Sequence, residues 1–121
     1  MVIGRKLFLI VFLFVGSAAS CFAQSDVEQK KIEDLIGEIA NLHDARFIRN
    51  GSEYGVDQAV DHIRTKLRYA GSRVKTAEDF INYCATGSSV TGEKYLIRFG
   101  NGQTVESAVF LRGKLAEYRS K

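Results

Sequence analysis

From residue 26 onward the apolar positions Ile32, Leu35, Ile36, Ile39 and Leu42 fall at three- and four-residue intervals. That spacing places them on one side of a helix and predicts an amphipathic helix over residues 26–43. Ser25 and Glu28 have the spacing of a capping box at its start. Gly37 lies inside it at a cost of about 1 kcal/mol against alanine, which predicts a close crossing by another element. The period then changes. "ARFIRNGSEY" sets β-tolerant residues on both sides of Asn50-Gly51, a dipeptide that accepts positive φ twice, and predicts a hairpin of 45–49 and 52–54. Helical spacing returns with Val56, Ala59, Val60, Ile63, Leu67 and Ala70, with Asp57 as the expected cap and Gly71 as the stop.

A third helix follows, opened by Thr76 with Asp79 at its third position and buried through Ala77, Phe80, Ile81, Cys84 and Ala85. "KYLIRF" alternates as a half-buried strand does, and Gly100-Asn101-Gly102 turns the chain into "QTVES" as a hairpin partner. Ser107 is the expected cap of a last helix that packs through Val109, Phe110, Leu111, Leu115 and Tyr118. The order α-ββ-α-α-ββ-α predicts an α+β domain, four helices packed on a small antiparallel sheet made of two hairpins.

Residues 1–23 read differently. Arg5 and Lys6 precede an unbroken apolar run from Leu7 to Val15, and small residues follow. That is the layout of a secretory signal, and the run is shorter than the roughly 20 residues of a membrane-spanning helix. Cys21-Phe22-Ala23 offers a cleavage site before Gln24. Ala18-Ala19-Ser20-Cys21 also resembles a lipobox, in which an acylated Cys21 becomes the first residue of a membrane-anchored lipoprotein. Cleavage after Ala23 leaves 98 residues, 24–121, enough for one core, with 15 basic and 14 acidic side chains. The basic excess therefore belongs largely to the signal, and clustered charge of the kind that binds nucleic acid is lacking. Only Cys84 remains, so no disulfide framework is available in the oxidising periplasm.

The candidate chemistry is sparse. His62, Lys66, Tyr69 and Arg73 recur at helical spacing, and from Arg46 to Lys75 there are seven basic and three acidic residues. This stripe suits an anionic or sugar-containing ligand, though a solvated helix side has the same pattern. With Arg49, Asn50 and the polar stretch containing Ser88, Ser89, Gly92 and Tyr95, it forms the expected partner-binding surface. Ser88 and Ser89 lack the G-x-S-x-G frame of a nucleophile, and no phosphate-loop ending follows. A small hydrolase pairing His62 with one of these serines is a remaining alternative. Cys84 sits on an apolar stripe and reads as a packing residue. His43 closes the first helix, where its charge meets the negative end of the dipole. No zinc-ligand spacing or other cofactor motif is present.

"FIRNG" (47–51), Ala59-x-x-His62-Ile63-x-x-Lys66, "VKTAEDFI" (74–81), "SSVTGEKY" (88–95), and Phe110-Leu111 with Tyr118-Arg119 occur in order at compatible spacings. Together they resemble a family of small secreted bacterial proteins, domain-of-unknown-function family 5329, the YfeK-like proteins. The resemblance covers about residues 32–119 and implies export, but no activity, substrate or catalytic residue. Thr91 stands where serine is expected in many relatives, and Phe110 where tryptophan is. Thr91-Gly92-Glu93-Lys94-Tyr95 is also similar to the S-G-x-x-Y loop of bacterial periplasmic lysozyme inhibitors, although those are richer in β-structure. The sequence thus points to a non-catalytic periplasmic domain that binds an envelope component or partner protein. Inhibition of a cell-wall lytic enzyme through Thr91–Tyr95 is the alternative.

Overall fold

Ile36, Ile39, Phe80, Ile81, Ile97, Leu111 and Leu115 are each at most 2% exposed, and they come from three helices and one strand. The core therefore lies between the helices and a sheet, as the alternating periods require. The computed structural model describes residues 26–119. The signal segment, the cleavage after Ala23, the lipidation of Cys21 and the Ser25 cap lie outside them. In chain order the elements are α1 (26–40), β1 (Arg46–Arg49), β2 (Ser52–Tyr54), α2 (Val56–Ala70), a 3₁₀ turn (Gly71–Arg73), α3 (Ala77–Cys84), β3 (Leu96–Arg98), β4 (Thr104–Glu106) and α4 (Ser107–Arg119). This is the expected α+β order. No helix among the described residues is long and apolar enough to cross a membrane.

The two hairpins form one antiparallel sheet of order β2-β1-β3-β4, joined by the pairing of β1 with β3. Asn50 and Gly51, at φ 52° and 79°, make the tight turn that their side chains permit. The register sets Phe47 opposite both Tyr54 and Ile97, and Ile97 opposite Val105. Side chains alternate across a strand, so this row faces the helices. The other side carries charge, with Glu53 paired to Arg98 and, at 3.8 Å, to Arg46.

Several ends differ from expectation. The helix α1 stops at residue 40, where Leu42 N–H turns back to the Ile39 carbonyl at 3.1 Å. His43 is exposed beyond that turn, outside the reach of the helix dipole. Gly55, not Asp57, caps α2, and its N–H donates to Gln58 Oε1 at 3.3 Å. Thr76 and Asp79 make the expected reciprocal box on α3. Ser107 is the first residue of α4 and is buried. Val109 is exposed, because Ala108, Leu111 and Leu115 define the packed side.

Glu28 also reaches beyond its own helix. Its carboxylate accepts the Ala77 N–H at 3.2 Å and pairs with Lys31 at 2.9 Å, so α1 supplies a second cap for α3. Burial pushes the Glu28 carboxyl up, but the Lys31 and Ala77 contacts outweigh it and hold it below its ordinary value. The expected crossing at Gly37 is missing: a Cβ built there would meet nothing within 4 Å.

Two stability predictions follow from these contacts. Gly37→Ala should raise stability by about 1 kcal/mol, read as a higher urea midpoint at unchanged slope. A lower midpoint would mean that the backbone is approached there after all. Glu28→Ala should cost about 1 kcal/mol by the same measurement, the usual range for a lost helix cap. An unchanged midpoint would remove the cross-helix cap from the fold.

Candidate functional site

Four side chains from three segments converge at one end of the sheet. Arg49 ends β1, His62 and Lys66 lie one turn apart on α2, and Tyr95 immediately precedes β3. Arg49 Nη1 lies 2.8 Å from His62 Nδ1 and 3.2 Å from Nε2. His62 Nε2 is 3.1 Å from Tyr95 Oη, and Lys66 Nζ donates to that same oxygen at 3.0 Å. Lys66 Nζ also donates to the Gly87 carbonyl at 3.0 Å.

Arg49 Nη1 is close to both ring nitrogens, so it lies over the imidazole and takes neither lone pair in line. Tyr95 Oη accepts from Lys66 and shares one proton with His62 Nε2. Ring contacts hold the same arrangement. His62 meets Tyr95 edge-on at 5.6 Å, Lys66 Nζ lies 5.0 Å from the Tyr95 centroid, and Arg49 lies 5.7 Å from that of Tyr54. Burial first, then the Arg49 and Lys66 charges, hold the His62 imidazole below its ordinary value of 6.5, so it is neutral at pH 7.

Beside this chain of contacts a pocket of about 190 Å³ opens between α2 and the sheet. Phe47, Ala59 and Ile63 contribute apolar wall, and Arg49, Gln58, His62 and Tyr95 contribute polar groups. Among the described residues no aspartate or glutamate lines it. Ser107 also lines it and is 5% exposed. Its hydroxyl has no hydrogen-bond partner among the described residues. Among the described residues Arg49 and Lys66 have no carboxylate within ion-pair distance, as is also true of Arg68, Arg73, Lys75, Lys94 and Arg119; Arg46, Arg64, Arg98, Arg112 and Lys114 are paired.

The remaining residues of the expected surface separate. Tyr69 is 82% exposed, and Arg73 lies past the end of α2, where its guanidinium caps the Tyr69 and Ala70 carbonyls. The stripe of four thus contributes two. Asn50 stands at the hairpin tip and accepts Thr91 Oγ1–H at 2.6 Å. Ser88 Oγ accepts the amides of Val90 and Thr91, and Gly92, at φ 77°, turns the loop back so that its N–H reaches the Ser88 carbonyl. These groups hold the loop rather than present it, while Ser89 is exposed at its surface. His62 lies against Arg49 and bonds to Tyr95 and to neither serine, so the pair required by a hydrolase is not formed. Cys84 is fully buried, and burial raises its thiol above the ordinary value, which fits a packing role.

Tyr54 and Ser107 belong to the site without having been expected there. Gly87 is required because a Cβ would come within 2.8 Å of the Glu93 carbonyl oxygen, where the two strands of the loop bridge. Ser107 shows only the spacing of a helix cap, and Tyr54 only that of a strand end. The "AxxH" and "HxxxK" spacing on α2, Ala59 to His62 and His62 to Lys66, was the one local signal for the pocket.

Comparison with known proteins places this arrangement. The model of a family of unknown function, DUF5329, matches residues 26–119. A protein of Salmonella typhimurium strain LT2, named uncharacterized protein YfeK, is 38% identical over 68 residues, 56% of this chain. The chain spans 57% of that relative's length. No solved structure matches.

The His62 environment predicts a pH dependence. Because its folded pKa lies below the unfolded 6.5, the unfolded chain binds more protons between the two values. Stability should therefore fall as pH drops from 7 through 6.5 toward the folded pKa. His62→Gln should flatten the loss between pH 7 and 5.5, measured by urea titration at each pH. An equal slope in both proteins would place the titrating group elsewhere.

Proposed function

The chain belongs to DUF5329, a family of unknown function, and we propose that it is a non-catalytic periplasmic recognition domain for an acidic envelope component or an acidic partner protein. One observation carries this reading. Arg49 and Lys66 are half-buried beside His62 and Tyr95 with no carboxylate opposite them, at the edge of an apolar pocket. A partly desolvated cation without a counter-charge is unfavourable, and an anionic ligand supplies what the fold withholds. Pocket, spare donors and absent carboxylates all favour the same ligand sign.

The export half of the proposal rests on the N-terminal pattern, with Arg5 and Lys6 before the run Leu7–Val15. Acylation at Cys21 would hold the same domain at a membrane surface, and cleavage after Ala23 would release it. A second reading, inhibition of a cell-wall lytic enzyme, is favoured by Val90. This valine is 93% exposed at the tip of a loop that Asn50, Ser88 and Thr91 brace, a shape suited to entering a cleft.

Retention of the purified protein on envelope fractions tests the first reading. Arg49→Gln with Lys66→Gln should lower retention by at least tenfold, while Tyr69→Ala should leave it unchanged. Undiminished retention of the double variant would remove the cluster as the binding surface. If lysozyme turbidity assays show inhibition that Val90→Asp abolishes and the double variant keeps, the second reading replaces the first.

A further inference from the structure

On the reading that this cluster is the binding site, we infer that its ligand is a carboxylate joined to an apolar group about the size of one aromatic ring. The polar side chains around the pocket define the head group. Arg49 lies with Nη1 against His62 and retains further N–H donors. The Ser107 hydroxyl, on a residue 5% exposed, is unpartnered among the described residues. A guanidinium only donates, so a ligand group that meets Arg49 must bring acceptors.

The charge of the head group follows from which cation lines the pocket. Arg49 does; Lys66 stands behind Tyr95, held by the Tyr95 hydroxyl and the Gly87 carbonyl. A single guanidinium matches a carboxylate in a two-pronged contact, with charge balanced one to one. A doubly charged phosphate would leave excess negative charge against Phe47, Ala59 and Ile63. Lys66 acts through Tyr95, holding the hydroxyl in place with its ammonium.

The body of the ligand follows from volume and lining. The pocket of about 190 Å³ is a little larger than the roughly 150 Å³ apolar cavity that accepts a benzene ring. One ring or one branched aliphatic chain fits, and a sugar ring, with hydroxyls on every side, would leave polar groups against the apolar wall.

Titration of the purified full chain with five small probes, followed by backbone-amide NMR, tests this. Phenylacetate, acetate, benzyl alcohol, benzylamine and phenyl phosphate separate ring, charge sign and charge number. Phenylacetate should bind at least tenfold more tightly than acetate or benzyl alcohol, with shifts at the amides of Arg49, His62, Tyr95 and Ser107, and benzylamine should not bind. Arg49→Gln should weaken phenylacetate at least tenfold. Equal binding of phenylacetate and benzylamine, or tighter binding of phenyl phosphate, would overturn the carboxylate assignment. Envelope retention that depends on Arg49 but resists competition by phenylacetate would sink this ligand class while leaving the site reading in place. Loss of both would remove the two together.

Discussion

Pairing of β1 with β3 is the contact on which both the fold and the site depend, because it joins two hairpins that are separated by α2 and α3 in the chain. Its register sets Phe47 opposite Ile97 and Ile48 opposite Leu96. Continued by one step, the same register brings Arg49 level with Tyr95 on the helix side of the sheet. A slip of β3 by one residue would turn Ile97 outward and bring the ion-paired Arg98 toward the core, opposite Phe47. The hydrophobic row therefore specifies the position of the polar pair. Burial of Ile97 and Phe47, each able to contribute about 2 kcal/mol as apolar side chains, supports a cluster that contributes little stability of its own.

Local signals carried the elements and left their meeting points open. Thr76 and Asp79 form a box within one turn, and Asn50-Gly51 sets a hairpin within four residues, so both are written into short windows of sequence. The α+β order follows from such windows alone. Arg49 and His62 are 13 residues apart, Lys66 and Tyr95 are 29, and Glu28 and Ala77 are 49. No periodicity encodes those contacts, because they arise only after the sheet register is set. Gly37 and Ser107 show the opposite failure. A glycine in a helix suggests close packing and a serine before an apolar run suggests a cap, yet one faces open space and the other lines a pocket. Residue type was read correctly in each case, and tertiary context assigned a different use.

The polar stretch from Gly87 to Tyr95 shows how such context redistributes chemistry. Its hydroxyls attract attention in the sequence, but Ser88 and Thr91 spend their capacity on amides of their own loop and on Asn50. What the loop delivers is its last residue. The Tyr95 N–H donates to the Thr86 carbonyl and the Tyr95 carbonyl accepts the Ser107 N–H. The tyrosine backbone is thereby clamped between the end of α3 and the start of α4. A side chain fixed at its root in this way can hold its hydroxyl against Lys66 and His62 without the entropy loss that a mobile loop would suffer on ligand binding. The serines support the geometry, and the phenol carries the contact.

Several cations of this domain are paired locally: Arg64 with Glu33, Arg112 with Glu78, and Arg98 with Glu53. Those pairs are exposed and contribute at most about 1 kcal/mol each. Arg49 and Lys66 have only neutral partners, His62, Tyr95 and a carbonyl. The imidazole lies against Arg49 and bonds to Tyr95, so it holds both side chains in place and leaves the Arg49 charge uncancelled.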